Sequence, residues 1–246
     1  MLELNKIYLG DCLELMKEIE DGSIDLILTD LPYGTTDNEW DIEINYKLFF
    51  EIIFRILKNN SAFITTSRGI LTAKLIYENQ KYFRHKWVWN KKLQGNILNA
   101  KYMPLQIDED ILIFSNKTPV KYFPIMREGA KRKKWGSENR NFGMVGRNYT
   151  SINGYYYPVS ILEIPNCINK IKNIHPTQKP LKLFEYLILT YSNENDTVLD
   201  CFSGSGTTAI ACYNLKRNFI CIEKDKDYYE KSVKRLENVK AQERIF

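Results

Sequence analysis

Residues Val198-Leu199-Asp200-Cys201-Phe202-Ser203-Gly204-Ser205-Gly206-Thr207-Thr208 restrict the possible folds more than any other stretch of this chain. An apolar strand ends in an acid, enters a turn with two glycines, and continues from Ala209 to Leu215 with the character of a helix. Glycines at such a turn let the backbone adopt conformations closed to other residues and let a ligand come close to the main chain. Asn218 to Ile222 reads as the next strand. It ends in Glu223, about 20 residues past the turn, a spacing suited to an acid that binds ribose hydroxyls. Strand, turn, helix and strand are the parts of an α/β sheet. A dinucleotide site is the competing use of this turn, but the third glycine of G-x-G-x-x-G is missing.

Two other strings carry chemistry. Ile24-Asp25-Leu26-Ile27-Leu28 reads as a short buried strand, and it closes on Thr29-Asp30-Leu31-Pro32-Tyr33-Gly34. A carboxylate, a proline and an aromatic therefore sit together at a strand end, where open α/β sheets bind ligands. By itself an Asp/Pro turn there is common. Near the other end of the chain, His175-Pro176-Thr177-Gln178-Lys179-Pro180 precedes a helix through Leu183, Leu187 and Tyr191. Pro180 suits its first turn, and a hydroxyl with an ammonium at a helix entry can hold a carboxylate. Asp11, before a helix expected from Asp11 towards Glu20, reads locally as a cap.

Charge is distributed unevenly. Between Lys117 and Thr150, nine Lys or Arg residues face only Glu128 and Glu138, so this segment carries +7 and the rest of the chain −2. Lys131, Arg132, Lys133, Lys134, Arg140 and Arg147 are interleaved with Tyr122, Phe123, Trp135, Phe142 and Tyr149. A merely solvated loop has no use for so many rings, and cations with aromatics suit nucleic acid. Poor periodicity marks residues 117–170 as a loop-rich insertion between a catalytic domain's two parts, 1–116 and 171–246. No apolar run is long enough to span a bilayer, and Met1 to Lys6 lacks the order of a signal peptide. The five cysteines, Cys12, Cys167, Cys201, Cys212 and Cys221, are scattered. They suggest neither a disulfide framework nor a metal site, and they fit a reducing cytoplasm.

The remaining chain predicts a strand at Lys6 to Leu9, a helix at Tyr46 to Leu57 ended by Asn59-Asn60, and a strand at Ala62 to Thr65. A helix near Leu71 to Asn79 and strands at His85 to Trp89 and Asp110 to Phe114 follow, with a last helix at Asp227 to Val239. Lys91 to Glu109 reads as a long loop, and long loops are often functional. His85 is expected to be a packed or capping strand residue, and Trp40 to pack on the domain.

Taken in order, the Asp30 tetrapeptide, the basic insertion, the Thr177/Lys179 string and the glycine turn resemble the permuted β group of DNA amino-methyltransferases. The strings correspond to motifs IV, X and I, with Leu31 and Cys201 where the family often has proline. The resemblance runs from about Tyr8 to Leu236. It implies a doubly wound, mostly parallel, seven-stranded Rossmann-like sheet, S-adenosylmethionine as donor, and a flipped base in double-stranded DNA as acceptor. It implies catalytic roles for Asp30, Leu31, Pro32 and Tyr33. It places the donor on Asp11, Cys12, Thr177, Lys179, Asp200, Phe202, Gly204, Ser205, Gly206, Thr207 and Glu223. Many members are dimers, and some act beside a restriction endonuclease.

The chemistry asks for these residue types. An exocyclic base amine is a poor nucleophile because its lone pair is delocalised into the ring. Asp30 could accept one of its N–H groups and the Leu31 carbonyl the other, and such acceptors strengthen as positive charge develops on nitrogen. Pro32 helps aim that carbonyl, and Tyr33 offers a ring for an extruded base. Aspartate in motif IV leans towards N6-adenine, while N4-cytosine enzymes more often carry serine. C5-cytosine chemistry needs a cysteine nucleophile, usually after proline, and the chain has no Pro-Cys pair. The alternative of another class is a catalytically silent nucleic-acid-binding protein that keeps the fold.

Overall fold

The computed structural model describes residues 2–32, 44–128, 151–152, 154–166 and 178–243. In chain order the elements are β1 (Lys6–Leu9), α1 (Cys12–Leu15) with a 3-10 turn at Met16–Glu18, β2 (Ile24–Thr29), α2 (Tyr46–Ile56) and β3 (Leu57–Ser67). Next come α3 (Gly69–Glu78), β4 (Phe83–Gly95), β5 (Gln106–Phe114) and four short strands, β6 (Arg127–Glu128), β7 (Ser151–Ile152), β8 (Tyr155–Tyr156) and β9 (Ile161–Glu163). The chain closes with α4 (Leu181–Tyr191), β10 (Thr197–Asp200), α5 (Thr207–Asn214), β11 (Asn218–Glu223) and α6 (Lys226–Glu243).

The main sheet runs β1-β11-β10-β2-β3-β5-β4-β9, with β6-β8-β7 as a separate small sheet. Among the described residues only the β3–β5 and β4–β5 pairings in the main sheet are antiparallel. The sheet is thus mostly parallel, but it has eight strands where seven were expected. The eighth is β9, which lies within residues 117–170 and pairs in parallel with Val88–Asn90 of β4.

Alternation along the strands divides the core in two. Leu26 and Leu28 of β2, Ala62 and Ile64 of β3, Ile111 and Ile113 of β5, and Phe219 and Cys221 of β11 share one face with α4, α5 and Leu236 of α6. Their neighbours Ile27, Phe63, Leu112, Phe114, Ile220 and Ile222 face the opposite way, onto Met16, Phe49, Phe50, Ile53 and Ile56, and Leu75 of α3. Period-two side chains that are apolar on both faces produce this double winding. Each fully buried Phe or Ile contributes about 1.5–3 kcal/mol.

The chain leaves β2 through α2 to reach β3 on one side, and leaves β10 through α5 to reach β11 on the other. The crossovers therefore diverge between β10 and β2. Such a divergence opens a crevice at the carboxyl ends of the two strands, the usual ligand position in open α/β sheets. Asp30 and Asp200 stand at those two ends.

Several element boundaries differ from expectation. The first helix is shorter than Asp11–Glu20, ending as a 3-10 turn whose carbonyls at Met16 and Ile19 accept from the Arg55 guanidinium. Asn59-Asn60 do not end α2; Leu57 already begins β3, which carries both asparagines as an exposed extension. Nine of the nineteen residues of Lys91–Glu109 are strand rather than loop, because β4 runs on to Gly95 and β5 starts at Gln106. The polar residues there lie on a hairpin whose outer part is largely exposed, so they do not oppose strand formation. No described helix is long and apolar enough to cross a membrane.

His85 packs on β4 against Tyr191 of α4, its Nε2 2.8 Å from the hydroxyl. Trp87 Nε1 donates to the same oxygen at 2.8 Å. An indole N–H can only donate, and a neutral imidazole can either accept the tyrosine proton or donate to the same oxygen, according to its tautomer. Burial holds His85 below its usual pKa. The contribution is whole above the unfolded histidine value of about 6.5 and is lost as pH falls through the lower folded value. Urea midpoints measured from pH 7.5 to 5 are expected to fall in the wild type and to fall less steeply in His85→Phe.

Candidate active site

The two signature segments meet through Thr29. Its hydroxyl donates to Asp200 Oδ1 at 2.7 Å and accepts from the Phe202 backbone N–H at 3.1 Å, joining positions 171 and 173 residues apart in the chain. Asp200 Oδ1 also accepts from Phe202 N at 3.1 Å, while Oδ2 accepts from the Thr208 hydroxyl. Asp200 is 2% exposed. Burial pushes its carboxyl up to about 6, against the pull of the Thr208, Thr29 and Phe202 bonds, with the nearby Asp30 charge adding to the rise. The structure thus gives Asp200 a role as the clamp between β2 and the glycine turn.

Asp30 lies just beyond the clamp. Its Oδ1 accepts from the Thr66 hydroxyl at the end of β3, and its Oδ2 lies 2.5 Å from Lys179 Nζ. Lys179 Nζ is also 3.6 Å from Glu109 Oε2, and Lys91 Nζ is 3.1 Å from Glu109 Oε1. Leu31 is buried, and the Pro32 carbonyl accepts from the Tyr46 hydroxyl at 3.1 Å, fixing the chain just past the strand.

The glycine turn is built for close approach. Gly204 (φ +49°) and Gly206 (φ +73°) are both in the left-handed region, and a Cβ on Gly206 would meet that of Ser232 at 3.0 Å. Arg235 of α6 braces the turn, its Nη1 donating to the Ser205 carbonyl at 2.9 Å and lying 3.2 Å from the Thr207 hydroxyl. Ser203 Oγ is buried without a hydrogen-bond partner among the described residues. Glu223, at the end of β11, accepts from Gly204 N at 2.7 Å and from Asp225 N at 2.8 Å, one bond on each carboxylate oxygen. Burial raises its pKa, against those backbone bonds. On the adjoining strand, Asp11 caps α1 through Leu13 N at 2.9 Å and pairs with Lys224 at 3.1 Å.

The structure therefore brings Asp11, Asp30, Lys179, Asp200, Phe202, Gly204, Ser205, Gly206, Thr207 and Glu223 to the carboxyl ends of β1, β11, β10 and β2. Cys12 follows Asp11 into the core, where burial pushes its thiol up to about 12, beyond ready use as a thiolate. Tyr33, Thr177, Trp40, Lys131, Arg132, Lys133, Lys134, Arg140 and Arg147 lie outside the described residues. Sequence reasoning missed Thr29, Thr66, Glu109, Lys91 and Arg235. Thr29 alone had a signal, a hydroxyl at the end of a largely apolar buried strand beside the Asp30 carboxylate.

A doubly wound α/β sheet with a glycine turn and a strand-end carboxylate at its switch point defines a Rossmann-like enzyme scaffold. The family model described as DNA methylase, N6_N4_Mtase, matches residues 24–234. The type II methyltransferase M.HpaI of Haemophilus parainfluenzae is 31% identical over 95% of this chain and 74% of its own length. The chain belongs to the N6/N4 DNA methylase family. Among solved structures, the M1.HpyAVI–SAM complex is 26% identical with TM-score 0.60, covering 94% of this chain and 98% of that one. The cytosine-N4-specific PvuII DNA methyltransferase is 19% identical with TM-score 0.69, covering 94% and 85%, a likeness of fold.

Proposed function

We propose that this chain transfers a methyl group from S-adenosylmethionine to N6 of an adenine extruded from duplex DNA. The observation that carries the reading is the Thr29 bridge, which sets Asp30 beside the glycine turn across the switch point. The residues at the strand ends suit the donor. Glu223 keeps a lone pair on each carboxylate oxygen for vicinal hydroxyls, and Ser203 Oγ is a buried polar atom that needs a partner. Two left-handed glycines leave the turn without side chains where a ligand must approach. When bound, the donor would supply an electrophilic methyl on a sulfonium.

Asp30 then serves as the acceptor for the target amine. Thr66 donates to one of its oxygens and Lys179 to the other. A carboxylate held in place this way costs little reorganisation as charge develops on nitrogen. The buried Leu31 backbone offers its carbonyl for the second amine hydrogen, and Tyr33 a face for the base. The aspartate at position 30 favours adenine over cytosine, whose amine presents the same chemistry.

Sequencing DNA from cells that express the protein, with modified bases called by position, tests this reading. N6-methyladenine at one recurring sequence supports it, N4-methylcytosine moves it to the other amine, and unmodified DNA removes it. The basic insertion is the proposed duplex contact. Changing Lys131, Arg132, Lys133 and Lys134 to glutamine is expected to weaken DNA binding and to flatten its dependence on log salt by about 0.9 for each phosphate no longer neutralised. Fluorescence anisotropy across a salt titration reads both; an unaltered slope would take this cluster off the phosphates.

A further inference from the structure

We propose that Glu109, on the hairpin of β4 and β5, is a positioning residue for catalysis: it tethers Lys179, and through Lys179 it holds Asp30 in place. The inference rests on the reading of Asp30 as the amine acceptor. The residues form an alternating row of charges from four separate parts of the chain, Lys91, Glu109, Lys179 and Asp30. The successive separations are 3.1, 3.6 and 2.5 Å. The side chains of Lys91, Glu109 and Lys179 are only 10%, 12% and 9% exposed, and that of Asp30 23%.

Burial decides what such a row does. Charges that are this enclosed keep their ionised forms only when paired, and breaking a pair leaves a costly uncompensated charge. Burial alone would raise the Glu109 carboxyl, but the lysines at 179 and 91 outweigh it, with Arg68 adding to them, and the net shift is downward. Glu109 is therefore an anion fixed between two cations, using a different oxygen for each. Lys179 in turn has an anion on each side, and the nearer of these is Asp30. Its long stem would otherwise sample many rotamers; two carboxylates facing it across the crevice select one. Thr66 holds the other oxygen of Asp30 from β3. The carboxylate is gripped on both oxygens, and the grip reaches back to the hairpin through Glu109.

Glu109→Gln, Lys179→Met and Lys179→Arg test the tether. Each is followed in single turnover at saturating donor and duplex DNA. Calorimetric binding of S-adenosylhomocysteine without DNA and melting of the donor-free protein complete the set. Glu109→Gln and Lys179→Met are expected to slow the single-turnover rate roughly 10- to 100-fold, the loss that a displacement of about 1 Å brings. The product Kd and the DNA concentration for half-maximal rate should stay within about twofold. Lys179→Arg keeps the cation and is expected to recover most of the rate. A wild-type rate in Glu109→Gln overturns the proposal, as does a lowered melting point with an unchanged rate, which would make the row merely structural. A loss of product affinity equal to the loss of rate also overturns it and puts Lys179 on the donor. Turnover that survives Asp30→Ala would instead remove the underlying reading of Asp30.

Discussion

Replacing Asp30 with alanine is expected to lower single-turnover methylation by roughly 10³-fold, the scale seen when a preorganised polar group that meets developing charge is removed. S-adenosylhomocysteine should still bind with a Kd within about twofold of the wild type. The two effects separate because the glycine turn is held by Asp200, Thr208, Glu223 and Arg235, none of which needs the Asp30 carboxylate. The alanine protein keeps a home for the displaced cation, since Lys179 Nζ already lies 3.6 Å from Glu109. Asp30→Asn serves as the isosteric comparison: it keeps the shape and an acceptor oxygen but loses the negative charge. Rapid-quench methylation, with calorimetry on the same preparations, reads both quantities. Unchanged turnover in the alanine variant removes Asp30 from the chemistry.

The second large effect concerns Asp200. Alanine there strands two donors at once, the hydroxyls of Thr29 and Thr208, and takes one of its two acceptors from the backbone N–H of Phe202. Hydrogen bonds to a charged partner are worth about 1.5–3 kcal/mol each and are not additive, so a loss of about 3–5 kcal/mol is expected. Urea denaturation should show an early midpoint with an unchanged slope. Asparagine is a far milder change. Its oxygen can serve Thr29 and Phe202 at the Oδ1 position, and its amide can face Thr208, whose hydroxyl can turn to accept.

The pH response separates these variants further. The Asp200 carboxyl is raised in the fold to about 6, against an unfolded value of about 3.9. Its contribution is therefore whole below the unfolded value and is lost as pH rises through about 6. That loss should vanish in Asp200→Asn, so the difference in stability between wild type and this variant should shift in favour of the variant from pH 4 to pH 7.

Much of this fold can be read from the chain because it depends on local period. Alternate residues of β2, β5 and β11 are apolar on both faces, and the glycine turn marks its strand and helix without help from tertiary structure. The helix at Tyr46 and the strands at Lys6 and Asn218 follow from the same patterns. What escaped depends on partners remote in sequence. β4 and β5 are longer than their apolar cores because each hydrogen-bonds to the other, from Phe83 with Phe114 to Gly95 with Gln106. β9 is three residues with one buried side chain, and only the free edge of β4 makes it a strand.

The site divides in the same way. Asp30 and the glycine turn were legible as motifs, and their order in the chain indicated that they belong together. The Thr29 bridge and the Lys179–Asp30 ion pair were not, because each joins residues about 150 or more positions apart. Position 179 shows how the two levels interact: the resemblance suggests a donor ligand, whereas the structure seats its ammonium between two carboxylates.

The order of strands in the sheet also governs when the enzyme can come into being. Among the described residues β1 pairs only with β11, more than 200 residues later, and β2 has β10 as its neighbour on one side. Loops of that span are slow to close, and a nascent chain emerges N-terminus first. The first strand must wait, unpaired, until Asn218–Glu223 has left the ribosome. The corner that holds Asp30 and the glycine turn therefore arises late in synthesis, and a truncated translation product lacking the last strands has no such crevice.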